Sequence, residues 1–221
     1  MEPGTPAPEA AFPLLDAVEA RILGSLVEKA AITPETYPLT ENAIVAACNQ
    51  KTSREPLMQL ETGAVAHALR AMQGRGLVRV APSSQRALRY EHRFDENYGT
   101  TARQRAVLCV LLLRGAQTIG ELLSRTERIN AFPGSEDVRD TLDRLAQREA
   151  PLVTCIGRAP GQREDRYVHL LCGPVDPTTV APMRQSPEPA SRSPGVHERL
   201  DQLEREVAEL RAELATLKRE G

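Results

Sequence analysis

Apolar residues in the first half of the chain follow two different spacings, which predict helices followed by a hairpin. Residues 14–27 repeat every three or four positions, as expected for an amphipathic helix. Shorter repeats of the same kind predict helices at 40–48 and 62–76. Segments 77–80 and 88–94 flank a polar turn and have the character of strands. This half therefore predicts three helices and a β-hairpin.

The same order of elements recurs in the second half. Residues 106–113 are apolar throughout, which predicts a helix that is buried nearly all round. Helices are predicted at 118–123 and 135–145, and strands at 152–156 and 167–171. The residues predicted to cap the shorter helices are Thr40, Thr62, Thr118 and Ser135. The chain thus contains one structural unit twice.

Three helices and a hairpin are the pattern of a winged helix-turn-helix. The predicted fold class is mainly α (α+β), with two tandem winged-helix domains at 14–96 and 97–173. Residues 1–13 are rich in proline, alanine and glycine and are predicted to be disordered. Residues 174–195 are predicted to be a Pro-rich linker, and residues 196–219 a coiled-coil helix.

The coiled-coil prediction depends on a heptad repeat with seven apolar positions. These are Val196, Leu200, Leu203, Val207, Leu210, Leu214 and Leu217. In a parallel pair of helices the flanking charges would be opposite in sign, joining Arg199 with Glu204, Glu206 with Arg211, and Glu213 with Lys218. An antiparallel pair would instead oppose like charges. We therefore predict a homodimer through a parallel coiled coil; a helix that folds back onto its own domain is the alternative.

Composition narrows the classes of function. The net charge is −2, so no global basic field indicates nucleic acid as a partner. The four cysteines lie far apart in apolar contexts, which predicts free, buried thiols in a reducing cytoplasm. The N-terminus lacks the pattern of a signal peptide, and the longest apolar run is too short to span a bilayer. We expect a cytoplasmic protein with no membrane partner.

Sequence motifs give no support for catalysis. The chain lacks the P-loop, dinucleotide-binding, zinc-protease and nucleophile-elbow motifs. Cys109 lies in an apolar run, where desolvation would keep its thiol neutral and unreactive. We therefore predict that the protein is not an enzyme and binds no metal or cofactor.

Several longer motifs carry a resemblance to a known family. They are LTENAIVAACNQKTSREP from Leu39, EHRF from Glu91 and LCVLLLRGAQTIGEL from Leu108. In this order they resemble the YceH-type family of uncharacterised bacterial proteins, over about residues 14–172. The resemblance implies tandem winged-helix domains and a cytoplasmic bacterial protein. It brings no set of catalytic residues.

Charge on the third helix and wing decides whether a winged helix suits DNA. Residues 61–93 contain six arginines and two glutamates, a net charge of +4. The third helix would enter the major groove, with Ala66, His67 and Arg70 facing bases. The predicted DNA-binding residues are Lys51, Arg54, His67, Arg70, Arg75, Ser83, Ser84, Arg86 and Arg89.

The corresponding helix of the second unit differs in charge. Residues 135–149 contain three arginines and five acidic residues, a net charge of −2, so they would repel phosphate. This unit is expected to contact protein instead. Two hypotheses follow for the whole chain. One is a transcriptional regulator that binds double-stranded DNA, and the alternative is a non-enzymatic protein-interaction scaffold.

Overall fold

The first helix begins at a reciprocal cap. In a computed structural model, which describes residues 12–82, 87–158 and 162–175, α1 spans Ala17–Ile32. The Asp16 carboxylate accepts a hydrogen bond from the Glu19 amide at 2.8 Å, and the Glu19 carboxylate accepts one from the Asp16 amide at 3.0 Å. These two bonds satisfy amide donors that have no partner within the helix. The predicted lead-in, linker and coiled coil lie wholly or almost wholly outside the described residues.

The first module runs from α1 to β3. Its remaining elements are β1 (Leu39–Thr40), α2 (Glu41–Cys48), α3 (Thr62–Gly74), β2 (Val78–Val80) and β3 (Arg89–His92), with a 3₁₀ turn at Pro34–Thr36. The three strands are antiparallel in the order β1-β3-β2. Tyr90 therefore lies opposite Leu39 on one side and Val80 on the other. The sheet closes one side of the three-helix core.

The second module runs from α5 to β5 and follows the short helix α4 (Phe94–Tyr98). Its elements are α5 (Ala102–Arg114), α6 (Ile119–Thr126), α7 (Ser135–Ala146), β4 (Val153–Gly157) and β5 (Arg166–His169). Gln117 forms a two-way backbone bridge with Tyr167, with N–O distances of 3.0 and 2.8 Å. Gln117 thus occupies the position that β1 has in the first module. The predicted helices and both hairpins are present.

The two modules share one hydrophobic core, centred where α1 crosses α5. Residues 106–113 are all buried, as their apolar run predicted. The crossing is close at Gly24, where a Cβ would lie 3.0 Å from the Leu113 side chain. The Cys109 thiol also donates to the Gly24 carbonyl at 3.3 Å. Because α1 and α5 meet at a glycine, the two modules pack tightly against each other, although the predicted domain boundary near residue 96 lies between them in the sequence.

Two of the four predicted helix caps are confirmed and two are wrong. Thr40 accepts a hydrogen bond from the Ala43 amide at 3.3 Å, and Thr118 accepts one from the Glu121 amide at 3.2 Å. Thr62 and Ser135 are instead the first residues of their helices. The preceding residues, Glu61 and Gly134, are extended and hold the N-cap positions, with no side-chain cap.

The cysteine prediction is confirmed only in part. All four thiols are free, but Cys155 and Cys172 are exposed while Cys48 and Cys109 are buried. Cys155 lies in the two-stranded hairpin, and Cys172 follows its second strand, so both stand at the edge of the core. Burial raises the pKa of the Cys109 thiol, as expected for an unreactive core cysteine.

Candidate nucleic-acid interface

The outward face of α3 is the surface that a DNA-binding helix would use. Its inward face holds Val65, Leu69 and Met72, all fully buried. His67 and Arg70 lie one turn apart on the exposed face, as predicted. Small exposed residues surround them: Gly63, Ala64, Ala71 and Gly74. This face therefore offers few side chains long enough to reach a base edge.

Arg54 was predicted to contact phosphate, and this is wrong. It is only 4% exposed and bonds both carboxylate oxygens of Glu28, at 3.1 and 2.6 Å. Its Nε also donates to the Ala47 carbonyl at 3.0 Å. The guanidinium ties the connector between α2 and α3 to both preceding helices, so it is unavailable to a ligand. Lys51, nearby, is exposed.

Arg75 is also directed away from the predicted surface. It pairs with Glu19 at the start of α1 and donates to the Leu14 carbonyl at 2.7 Å. Its role as a DNA contact stays a prediction, but the Glu19 carboxylate neutralises this guanidinium, which joins α3 to α1. Arg79 pairs with Glu91 across the hairpin at 2.6 Å. Carboxylates thus neutralise much of the predicted positive charge.

The remaining predicted contacts divide into three groups. Arg89 donates to the Pro38 carbonyl at 2.8 Å and lines a shallow concavity of about 470 Å³ together with Lys29. Its guanidinium bonds the chain just before β1 and is not part of the exposed face of α3. Ser83, Ser84 and Arg86 lie outside the described residues. Lys51, His67 and Arg70 are therefore the predicted contacts that the structure leaves exposed and without a salt bridge in the described ranges.

The corresponding helix of the second module, α7, presents acidic groups. Glu136, Asp140 and Asp143 are exposed on it, together with Arg139 and Arg144. Asp137 pairs with Arg103 of α5 at 3.1 Å. The mixed but net acidic face agrees with the charge count from the sequence. It offers no cationic surface for phosphate.

Sequence reasoning missed a second buried arginine. Arg21 is 2% exposed and donates to the carbonyls of Cys48 and Pro56, at 3.1 and 2.6 Å. Burial and the nearby Arg54 lower the pKa of Arg21. Its burial could have been predicted from its position on the apolar face of the first helix, three residues after Val18 and beside Ile22. Both buried arginines fix the connector that precedes α3.

The described residues also bear on membrane-spanning and metal-binding sites. Within the described ranges, no helix combines the length and apolar character needed to cross a membrane. Histidine, cysteine and acidic side chains in those ranges do not form a group of three suited to a metal ion.

Relatives of this chain occur in several bacteria. It is 52% identical over 209 residues to a UPF0502 protein of Stenotrophomonas maltophilia strain K279a, covering 93% of this chain and 95% of that protein. It is 50% identical over 206 residues to a UPF0502 protein of Mesorhizobium japonicum, with 93% and 97% covered. A Pseudomonas syringae pv. tomato relative is 48% identical over 217 residues. The resemblance to an uncharacterised bacterial family is confirmed, and the YceH-type name is compatible with it. With residues 15–162 matching its model, the chain belongs to the family described as a protein of unknown function, DUF480.

Proposed function

We propose that this protein is a non-enzymatic adaptor made of two winged-helix modules, which binds another protein through the outward face of α3. The winged-helix assignment is supported by strand order. In the first module β3 lies between β1 and β2, and β2 contacts the third helix, α3. In the second module β5 likewise lies between two partners, since it pairs with β4 on one side and with Gln117 on the other.

The distribution of charge is the observation that carries the proposal. Of the arginines predicted to face DNA, Arg54 and Arg75 bind carboxylates of α1, and Arg89 binds backbone carbonyls. DNA binding of useful strength depends on several cations that are free to neutralise phosphates. A protein partner has no such requirement. The acidic outward face of α7 likewise favours protein over DNA.

The composition of the α3 face supports a helical partner. Gly63, Ala64, Ala71 and Gly74 form a stripe around His67 and Arg70. Helix axes in contact lie about 8–10 Å apart, depending on the side chains between them, so small residues allow the closest approach. His67 and Arg70 would provide directional hydrogen bonds at the centre of such a contact.

DNA binding is the second candidate, and one observation favours it. Lys51, His67 and Arg70 remain exposed on or just before α3. They would place cations at the helix that a winged-helix protein inserts into the major groove. Binding by so few cations would be weak and would lose little affinity as salt increases.

Affinity capture from native lysate tests the proposal. The tagged full-length chain, Ala71→Glu and the matched control Ala131→Glu are compared, with and without nuclease. Both alanines are exposed, but Ala131 lies in the loop before α7. An adaptor retains a specific partner after nuclease treatment, loses it in Ala71→Glu and keeps it in Ala131→Glu.

Fluorescence anisotropy with random duplex DNA tests the second candidate. Measurable binding at low salt that weakens as salt rises, and that Arg70→Glu abolishes, would overturn the adaptor proposal in favour of DNA. Circular dichroism of every variant checks that the fold is intact.

A further inference from the structure

A cleft of about 310 Å³ lies where the two modules meet. One wall comes from the end of α1 and from Ser53 in the α2–α3 connector. The other comes from α5 and from residues 124–129, at the end of α6 and beyond. Small-molecule sites in proteins begin at about 300 Å³, so the cleft is large enough for a compact ligand. A ligand here would touch both modules.

Three arginines line this cleft: Arg114, Arg125 and Arg128. Arg114 is half-buried and donates to the Ser53 hydroxyl at 2.6 Å. Burial, and then the charge of Arg125, lower the pKa of Arg114, because two guanidinium groups face the same confined space. Arg125 bonds the Gln117 side chain and lies 3.3 Å from Glu121. Arg128 is exposed and forms no salt bridge in the described ranges.

The nearby carboxylates do not cancel this charge. Glu28 lines the cleft, but it is bound by Arg54 at 2.6 Å and by Lys29 at 3.6 Å. Glu55 is close enough to raise the pKa of Arg114, though by less than burial and Arg125 lower it. Glu127 lies at the exposed rim. Glu121, which faces Arg125, is also 3.5 Å from Arg166, so two arginines share its charge. Among the residues that line the cleft, three arginines therefore stand against two glutamates, one of which is already bound by Arg54.

Ser53 adds an independent sign of a built site. Its φ of 61° is the one left-handed value at a non-glycine position in the described ranges. The conformation is held from both sides, because the Ser53 carbonyl accepts from Arg54 at 2.8 Å and its hydroxyl accepts from Arg114. Strain of this kind is retained where surrounding contacts fix it, and it concentrates at ligand sites. Here it places a hydroxyl on the cleft wall.

We propose that this cleft binds a small organic phosphate, with the arginines around the phosphate and an apolar wall against the organic part. Guanidinium groups match phosphate oxygens with paired, charge-assisted hydrogen bonds. The apolar wall is formed by Ile32, Val110, Leu113 and Ile129. The volume limits the ligand to about the size of a mononucleotide. The site is separate from the α3 face and does not depend on the adaptor proposal.

Isothermal titration of the full-length chain tests the site. The probes are adenosine monophosphate, pyrophosphate and, as the uncharged control, adenosine. Adenosine monophosphate and pyrophosphate are expected to bind, and adenosine to bind far more weakly. Arg128→Glu and Arg125→Gln should each weaken binding of both anions by about ten- to a hundredfold, the value of charged hydrogen bonds. Arg139→Glu removes an exposed arginine outside the cleft and should bind like the wild type.

Three results would overturn the proposal. The first is no heat of binding from either anion at millimolar concentration. The second is unchanged binding by Arg128→Glu, because this substitution reverses the charge of an arginine that lines the cleft. The third is displacement of the bound probe by short duplex DNA at equal phosphate concentration, because the arginines would then serve nucleic acid. Failure to displace the probe supports a small-molecule site.

Discussion

Arg54 and Glu28 form a buried ion pair with two parallel hydrogen bonds, at 3.1 and 2.6 Å. Glu28 lies on α1, whereas Arg54 lies in the connector that leads to α3. The pair therefore fixes the chain segment before the proposed binding helix to the core of the first module. Connectors in helix-turn-helix motifs are commonly about three or four residues long, and this longer one needs such an anchor.

Removing one member of this pair is expected to destabilise the protein strongly. Arg54→Met leaves the Glu28 carboxylate with Lys29 alone and should lower the free energy of unfolding by about 3–5 kcal/mol. Arg79→Met is the matched control, since the Arg79 side chain is 57% exposed in its pair with Glu91 and should cost less than about 1 kcal/mol. Urea unfolding followed by circular dichroism measures both. Equal costs would show that the buried pair has no special role.

Two glycines should respond in opposite ways to the same substitution. At Gly24 a new Cβ would lie 3.0 Å from Leu113 and 3.1 Å from Leu112, so Gly24→Ala should cost about 1–3 kcal/mol through overpacking. At Gly63 a Cβ meets nothing within 4 Å, so Gly63→Ala should stabilise the helix by about 0.5–1 kcal/mol. Thermal unfolding of the two variants checks the signs. A stabilising Gly24→Ala would mean that the α1–α5 crossing has room for a Cβ at this position, contrary to the 3.0 Å distance.

The corrected helix starts give a second matched comparison. Thr118 accepts from the Glu121 amide, so Thr118→Ala should cost about 1 kcal/mol. Ser135 is the first residue of α7 and makes no cap hydrogen bond, so Ser135→Ala should change stability by less than about 0.5 kcal/mol. Denaturant midpoints at constant slope measure both values. A loss of about 1 kcal/mol or more in Ser135→Ala would indicate that Ser135 caps α7 after all.

His169 should make stability depend on pH. Burial lowers its pKa from 6.5 to about 4, and its Nδ1 has no hydrogen-bond partner. As pH falls below 6.5, the pKa of His169 in the unfolded chain, the unfolded chain binds a proton that the folded chain does not. The contribution of His169 is therefore present above pH 6.5 and is lost as pH falls toward about 4, by about 1.4 kcal/mol per pH unit.

The His169→Leu variant isolates that contribution from the carboxylates, which also titrate in this range. Its stability should fall less steeply with decreasing pH than that of the wild type, by about one proton. Urea unfolding at a series of pH values gives the slopes. Identical slopes for His169→Leu and the wild type would contradict the assignment.

Hydrophobic spacing was enough to locate the six longer helices and both hairpins, because their apolar residues follow the period of each element; the five-residue α4 was not predicted. The apolar run around Cys109 is buried on all sides, as its composition required. Thr40 and Thr118 are recognisable as caps because each places a hydroxyl directly before the first residue of a helical segment. β1 and the Gln117 bridge escaped prediction, since two residues or one carry no periodicity.

Charge was harder to interpret than apolar spacing. A count of arginines over residues 61–93 gives a net positive segment, but partners from outside it, such as Glu19 for Arg75, are invisible to the count. Arg54 looked like an exposed connector residue, yet it reaches Glu28, 26 residues earlier in the chain. Long side chains can pair with residues that are distant in the sequence. The net charge of a surface therefore depends on tertiary contacts, which cannot be read from a short segment of sequence.

The heptad repeat at 196–219 remains a prediction, since it lies outside the described residues. Its apolar stripe and complementary flanking charges should make the full-length chain a dimer at micromolar concentration. Replacing Leu203 and Leu210 with glutamate puts charges on the stripe and should yield monomers, because like charges would then face each other across the contact. Sedimentation equilibrium compares the two chains. Because three heptads alone are marginal, dimers should dissociate on dilution. A wild type that stays monomeric, or a dimer that survives both substitutions, would contradict the coiled-coil prediction.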